Sequence, residues 1–426
     1  MSLVDPRELF TVHGAVTLEK RHQFAGREDM VERCLDELAI EGSTLVIFGE
    51  RGVGKTSLGW QLVGPLSGDS SLLKERNIRP KLLRDEEFYI IWCTCNSWMT
   101  SIYRLVFTLV NDPERQFTLR SNFPEIFNDT KLIKKLSDMY KHEVPTLAAS
   151  LDPRLKINPK RQSDSDSAPE SDSLVSFLFL EELLEAARER YPDKKGIILF
   201  LDEFDRIQDK AGITHLFKVL NNVRFVIFGV GASHLALTGE HVSVGRKIYA
   251  REVPLFTLAN VNWFFDRVQE RSQQQVIFTK KFRSEVYSLS SGFPWVVQQL
   301  GFYCLLDAIP NEELLEIASP ITLDEDNLTG VLPTFLKEKF TGDDVNLEEL
   351  SEVARGLLKT LSATEKGRWS ERELINTIRD DAKGFYEASL EQLKNSGLVY
   401  EQGSEVRIKD PLTKILIGLA IKQGII

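Results

Sequence analysis

The sequence predicts an α/β chain built on a parallel sheet, and three observations carry that prediction. Thr44–Phe48 is an apolar, β-branched run that meets a glycine-bearing turn and opens a helical pattern at Gly54-Lys55-Thr56. Ile197–Leu201 is a run of five consecutive apolar residues, the pattern of a strand buried on both faces, and it ends in two acids, Asp202 and Glu203. Apolar runs alternate with helical patterns through this half of the chain, the order of a sheet with crossover helices. Ligands of such sheets sit at the carboxyl ends of the strands, where both stretches place their polar residues.

The bounds agree. A chain of 426 residues is too long for one core, so two or three domains are expected. A net charge of −10 and a pI near 5.4 argue against a chain built to coat nucleic acid, although a local basic face is compatible with them. The four cysteines, Cys34, Cys93, Cys95 and Cys304, are dispersed. Cys93 and Cys95 lie two apart in a strand-like run, facing one way without being able to pair readily. Buried reduced thiols are the expectation. The six histidines show no metal-ligand spacing. MSLVDPRELF has no signal-peptide core, and no apolar run reaches membrane-spanning length. The expectation is a soluble, cytoplasmic protein.

Taken in order, Met1–Gln23 reads as a weakly structured lead-in. Phe24-Ala25-Gly26-Arg27-Glu28-Asp29 feeds a helix with Met30, Val31, Cys34, Leu35 and Leu38 on one face, running to about Glu41. Acids in its first turn suit the helix dipole, but Gly26-Arg27 also lies a short helix upstream of the glycine turn, so ligand contact fits it equally. Gly64–Leu83 is a polar connection. Phe88–Cys95 reads as a buried strand ending at Asn96, and Trp98–Val110 as a helix. Asp112–Lys160 lacks periodicity and runs into RQSDSDSAPESDS (Arg161–Ser173), which has too little apolar surface to order itself. A solvated loop is its plain reading; phosphorylation or partner docking is the other. Leu174–Tyr191 is an amphipathic helix, and Val223–Gly229 and Ile248–Leu255 are further strands.

From Thr257 the pattern is helical: Asn260–Arg271, Lys280–Ser290, Pro294–Ala308 with proline near its start, then Asp324–Phe340. Helices over Leu350–Leu361, Ser370–Asp380 and Lys383–Asn395, a hairpin of Leu398–Gln402 and Glu405–Ile408 turning at Gly403, and a closing segment Asp410–Ile421 read as a winged helix-turn-helix. The domains expected are 1–256 for the core, with a disordered insert at 150–173, 257–340 for a helical lid and linker, and 341–426 for the winged helix.

Gly49-x-x-x-x-Gly54-Lys55-Thr56 is the phosphate-binding loop pattern in the strand–turn–helix setting that it needs. Gly49, Gly52 and Gly54 permit backbone angles that place several N–H groups around one anion. The helix N-terminus adds free donors and the positive end of its dipole. Lys55 can reach β- and γ-phosphates, and the Thr56 hydroxyl can ligate Mg²⁺. The binding set read from the turn is Gly49, Arg51, Gly52, Val53, Gly54, Lys55, Thr56 and Ser57. A glycine-rich turn that binds nothing is the bland alternative. At the end of the second motif, Asp202 would hold Mg²⁺ and Glu203 would orient and deprotonate the attacking water. Alone, a buried strand ending in a solvated acidic turn is commonplace; the two motifs together supply complementary halves of one site.

With these residues on view, the set FAGREDM, GERGVGKTS, ILFLDEFDRI, VIFGVGAS, SGFPWVVQQL and a C-terminal winged helix resembles the AAA+/STAND group of ATPases. That group is P-loop NTPases that share a core with archaeal origin-recognition initiators and prokaryotic signalling ATPases. The resemblance spans residues 20–110 and 174–420. It implies that Gly26 and Arg27 contact the adenine end of ATP and that Gly52, Gly54, Lys55, Thr56 and Ser57 hold phosphates and Mg²⁺. It implies an acidic pair of Asp202 and Glu203, and a lid that touches the nucleotide around Pro294. Asn96 sits where some relatives keep a polar residue that restrains the catalytic glutamate, a strand-end cap being the other reading. Arg246 lies near where relatives carry an arginine that reaches a neighbouring subunit's γ-phosphate; a solvated surface arginine is an equal reading. Two departures stand out. Phe228-Gly229-Val230-Gly231 lacks a polar γ-phosphate sensor, Ser233 being the nearest substitute, and SGFPWVVQQL has no sensor arginine. Both fit slow turnover.

The function expected is an ATP- and Mg²⁺-binding, slowly hydrolysing switch, with Lys55, Glu203 and Arg246 as catalytic residues. ATP would bind between core and lid, orient the winged helix and permit homo-oligomerisation, and output would pass in trans to a protein effector on family analogy. The alternative is an origin-recognition-like ATPase that sets its winged helix on duplex DNA. The candidate recognition helix Lys383–Lys394 carries Glu387 and Glu391 with basic residues only at its ends, which disfavours that use. A nucleotide-locked scaffold is a third reading, disfavoured by intact Lys55, Asp202 and Glu203.

Overall fold

The protein is described here by a computed structural model covering residues 5–83, 86–112, 116–140, 170–210, 212–231, 233, 235, 237, 248–309, 320–341, 350–364 and 367–426. The chain divides into two compact units. One is Arg27–Gly49 with Lys55–Val253; the other is Met1–Gly26, Glu50–Gly54 and Pro254–Ile426.

The first unit is an α/β sheet layer. Strands β1 (Thr44–Gly49), β2 (Tyr89–Thr94), β3 (Ile197–Asp202), β4 (Val223–Val230) and β5 (Ile248–Glu252) form one sheet in the order β2-β3-β4-β1-β5. Every pairing is parallel. All six residues of β3 are buried, as its unbroken apolar run requires. The helix Lys55–Leu66 lies tight on the sheet at Gly59, where a Cβ would come 2.5 Å from Phe228 Cζ and 2.8 Å from Trp92 Cη2. Beside it Trp60 stacks on Trp92 at 4.6 Å, and Trp92 stacks on Phe200 at 5.2 Å. Arg224 of β4 is buried and useful there. Its Nε donates to the Leu38 carbonyl at 2.7 Å, at the C-terminal end of the helix Glu28–Ala39, and its guanidinium lies 4.8 Å from the Phe88 ring.

The edge strand β2 is covered rather than exposed. Trp92 N donates to the Phe117 carbonyl at 2.7 Å, and Asn122 Nδ2 donates to the Ile90 carbonyl at 2.7 Å. These partners come from a stretch the sequence shows as aperiodic, and it folds as short helices Leu119–Asn122, Pro124–Asn128 and Thr130–Tyr140, burying Phe123, Ile126 and Leu136. The first two, of four and five residues, are too short to show a period. The polar connection Gly64–Leu83 likewise contains a helix, Ser71–Arg76. Residues 141–169, with most of the expected insert, lie outside the described residues; the following helix starts at Glu170 and runs to Arg190, so 170–173 are helical. Cys93 and Cys95 are both buried, free and in the same core, with burial raising the Cys93 thiol to about 12.

The second unit is mainly helical, and it corrects the reading of the N-terminus. Asp5 caps a short helix Pro6–Leu9, and Phe10 is fully buried against Phe264 and Phe278, with ring centroids 5.9 and 6.5 Å away. Thr11 N donates to Gln298 Oε1 at 2.6 Å, and Gln299 Nε2 donates to the Val12 carbonyl at 2.6 Å. Few apolar residues suffice because their partners already form a helical layer: Leu258–Arg271, Lys280–Ser290, Pro294–Ala308 and Glu325–Thr341, with a parallel pair β6 (Val276–Phe278) and β7 (Ile321–Leu323). Arg283 staples this layer, donating to Asp266 Oδ1 and Gln269 Oε1 at 2.6 Å each.

The C-terminal part contains helices Glu352–Ala363, Glu371–Thr377, Tyr386–Asn395 and Pro411–Lys422. An antiparallel sheet joins β8 (Arg368–Ser370), β10 (Glu405–Ile408) and β9 (Val399–Gln402) in that order. The sequence does not show β8, which has three residues and owes its place to pairing with β10. Among the described residues, no helix is long and apolar enough to cross a membrane.

Candidate functional site

β1 ends at Gly49, and the chain turns through Glu50–Gly54 into the helix beginning at Lys55. Gly54 closes the turn at φ 89°, where a side chain would be strained. Val53 is buried at 1% exposure and anchors the turn, while Arg51 is exposed. Lys55 Nζ donates to the Gly49 carbonyl at 3.0 Å, so the ammonium folds back over the turn. The Thr56 hydroxyl, one residue on, hydrogen-bonds the Asp202 carboxylate.

Asp202 is the last residue of β3, at 4% exposure. Its Oδ1 accepts from Glu203 N at 2.9 Å, and its carbonyl accepts from Cys95 N at 2.8 Å. Burial raises its pKa, opposed by the hydrogen bonds from Thr56 and Glu203 N and by the Lys55 ammonium. β1 and β3 both flank β4, and across that strand the helix leaving one turn meets the acid ending the other. The fold is an α/β layer on a parallel sheet, with the Lys55 helix and the Asp202 carboxylate at the carboxyl ends of two strands that flank β4.

In that fold the donor set suits a hard cation. One hydroxyl and one carboxylate, already within a hydrogen bond of each other, are the protein oxygens that Mg²⁺ takes when water and phosphate fill its other positions. Among the described residues, no group of three His, Cys, Asp or Glu side chains is placed to hold a metal by protein ligands alone.

Glu203 follows in the left-handed region, φ 53° and ψ 36°, and Phe204–Arg206 form a 3₁₀ turn after it. Its carboxylate pairs with Arg206, Oε2 to Nε at 2.6 Å. Asp205 Oδ1 accepts from Val230 N at 2.9 Å and so ties this turn to the end of β4.

Gly49, Lys55, Thr56, Ser57, Asp202, Glu203 and Arg27 belong to the sheet unit. Arg27 precedes its helix in the left-handed region at φ 71°, and burial lowers its guanidinium to about 10. Gly26, Gly52 and Pro294 belong to the helical unit. There a Cβ on Gly26 would come 2.4 Å from Asn260 Nδ2, and one on Gly52 would come 3.2 Å from Leu412 Cδ2 and 3.5 Å from Trp295 Cβ. Pro294 occupies the first turn of its helix. Asn96 acts as a strand-end cap, its Oδ1 accepting from Trp98 N at 3.2 Å. Arg246 lies outside the described residues. Sequence reasoning passed over Arg206 and Leu412. The first had a signal, an opposite charge three residues after Glu203; the second had none, because its neighbour is far away in the chain.

No family model matches the chain, and no curated protein does. Its structural neighbours are archaeal ORC/Cdc6 proteins and Walker-type ATPases. A Walker-type ATPase of Pyrococcus abyssi is 16% identical over 96% of this chain and 99% of that one, with a TM-score of 0.45. The Aeropyrum pernix ORC2 protein in its ADP form is 14% identical over 99% and 98%, at 0.46. The Thermotoga maritima RuvB Holliday junction branch migration motor is 14% identical over 94% and 95%, at 0.38. Likenesses at these identities and scores carry no argument about what this chain does.

Proposed function

We propose that the chain binds ATP with Mg²⁺, hydrolyses it slowly and uses the bound state as a conformational switch. The observation that carries this reading is the meeting of Thr56 and Asp202 beside Lys55. Gly49–Gly54, Lys55 and Ser57 take the phosphates, with Gly26, Arg27 and Pro294 on the rest of the nucleotide. Thr56 and Asp202 hold Mg²⁺, which when bound supplies countercharge to the phosphates. Glu203 takes the proton of the attacking water. The missing sensor residues support slow turnover.

The proximity of Leu412 to Gly52, where an added Cβ would come 3.2 Å from Leu412 Cδ2, supports the switch. Leu412 lies in the first turn of the helix Pro411–Lys422, so a change in the shape of the phosphate loop is felt directly by the C-terminal part, which we read as a winged helix. Output through a protein partner is favoured over duplex DNA by the charges of helix Tyr386–Asn395 and of the 3₁₀ turn Asp380–Phe385 before it. Lys394 is tied to Glu391 at 3.3 Å and Glu401 at 3.2 Å, and Lys383 to Asp380 at 2.6 Å. The carboxylates beside these cations offset their charge, so this face offers phosphate little net positive potential.

Two variants test the reading. Lys55→Ala is expected to lose nucleotide binding, and tight ATP binding by it would remove the phosphate-loop assignment. Glu203→Gln is expected to keep ATP but not hydrolyse it. Light scattering on Glu203→Gln, without nucleotide, with ADP and with ATP and Mg²⁺, should give a discrete oligomer with ATP alone; a constant mass throughout counts against self-association.

A further inference from the structure

The turn after β3 is clamped at both ends yet leaves two side chains outward. Phe204 and Ile207 are fully buried, Arg206 N donates to the Glu203 carbonyl at 3.0 Å, and Asp205 is fastened to Val230 N. Between these anchors the Glu203 and Arg206 side chains are 43% and 42% exposed. Arg206 closes the 3₁₀ turn that Glu203 precedes, and its Nε lies 2.6 Å from Glu203 Oε2. The left-handed backbone at Glu203 sets this direction and is unusual for a residue other than glycine.

We propose that Arg206 is a positioning residue that parks Glu203 in a resting orientation, and that hydrolysis requires the pair to open. This rests on Glu203 being the base of the proposed ATPase. A base must offer a lone pair to water, and a charge-assisted hydrogen bond from the guanidinium occupies one carboxylate oxygen and fixes its direction. The restraint is local to one turn, so it is independent of any residue at the end of β2; Asn96 is engaged in its own cap. An exposed pair is weak, so it opens easily and holds the rate down only modestly.

The test is steady-state ATP hydrolysis and ATP affinity for the wild type, Arg206→Ala, Arg206→Lys, Glu203→Gln and the double variant Glu203→Gln/Arg206→Ala. Arg206→Ala should raise kcat about two- to fivefold, with KM and ATP affinity unchanged. Arg206→Lys, keeping the charge without the fork, should fall back towards the wild-type rate. The double variant should be as inactive as Glu203→Gln. If Arg206→Ala does not fold, Arg206→Gln takes its place with the same expectation. An unchanged or lower kcat in Arg206→Ala, with Glu203→Gln inactive, overturns the restraint and leaves the base assignment standing. A rise that persists in the double variant also overturns it, because Arg206 would then act elsewhere. Wild-type turnover by Glu203→Gln overturns the base assignment itself.

Discussion

The turn after β1 has Gly52 and Gly54 at φ 78° and 89°, whereas the turn after β3, on the other side of β4, enters its left-handed position with Glu203 at φ 53°. The first is a backbone device. Its glycines let the main chain itself present N–H groups, and the buried side chain of Val53 is an anchor. The second is a side-chain device, in which Asp202 and Arg206 hold a strained residue and Asp205 ties its turn to the end of β4. The difference matches the proposed tasks. An anion that must be enclosed calls for many donors at close range, which only bare backbone supplies. A proton acceptor needs a single carboxylate that can be aimed and re-aimed.

If that contrast is right, Gly54→Ala is the most damaging change. It places a Cβ at φ 89°, a strain of about 1–3 kcal/mol that relaxation of the loop relieves only by spoiling its N–H groups. ATP affinity measured by calorimetry should fall about ten- to hundredfold; an unaltered affinity would mean that the turn does not need glycine and would dissolve the contrast. Gly59→Ala probes the helix behind the loop without touching the loop. Its Cβ meets the Phe228 ring at 2.5 Å, and overpacking of that kind costs about 1–3 kcal/mol. A lower melting temperature without nucleotide is expected, and an unshifted one would show that the helix has room to move. The smallest effect has the opposite sign. Glu203→Gly relieves a left-handed residue and should stabilise the protein to urea by at most about 1 kcal/mol, less the extra freedom glycine has when unfolded, while hydrolysis is lost. A loss of stability would show that the Arg206 pair outweighs the strain.

Legibility followed distance along the chain. The phosphate loop, the buried strand with its two acids and the crossover helices could be read because each is a contiguous pattern with its own local cause: glycine at a left-handed turn, apolar runs in a doubly buried strand, proline at a helix start. The partner of Glu203 could not be read in the same way. Asn96 and Arg206 are both polar residues beside the acidic turn, and which one reaches Glu203 depends on the φ of Glu203 and the 3₁₀ turn after it. The N-terminal lead-in reads as weakly structured for a related reason. Phe10 and Thr11 carry no periodicity, and only the presence of Phe264, Gln298 and Gln299 from a helical layer far along the chain gives them a place.

By itself, then, the sequence determined the local elements and their order: a glycine turn between strand and helix, an acid pair at a strand end, and a helical C-terminal half with a short hairpin. Tertiary structure alone decided which strands are neighbours, and so that Thr56 meets Asp202 across β4, that Leu412 lies near Gly52, and that the free edge of β2 is covered by Phe117 and Asn122. The physical reason is that local backbone preference and burial pattern act within a few residues, whereas register and close approach are settled by packing between segments that do not adjoin in the chain.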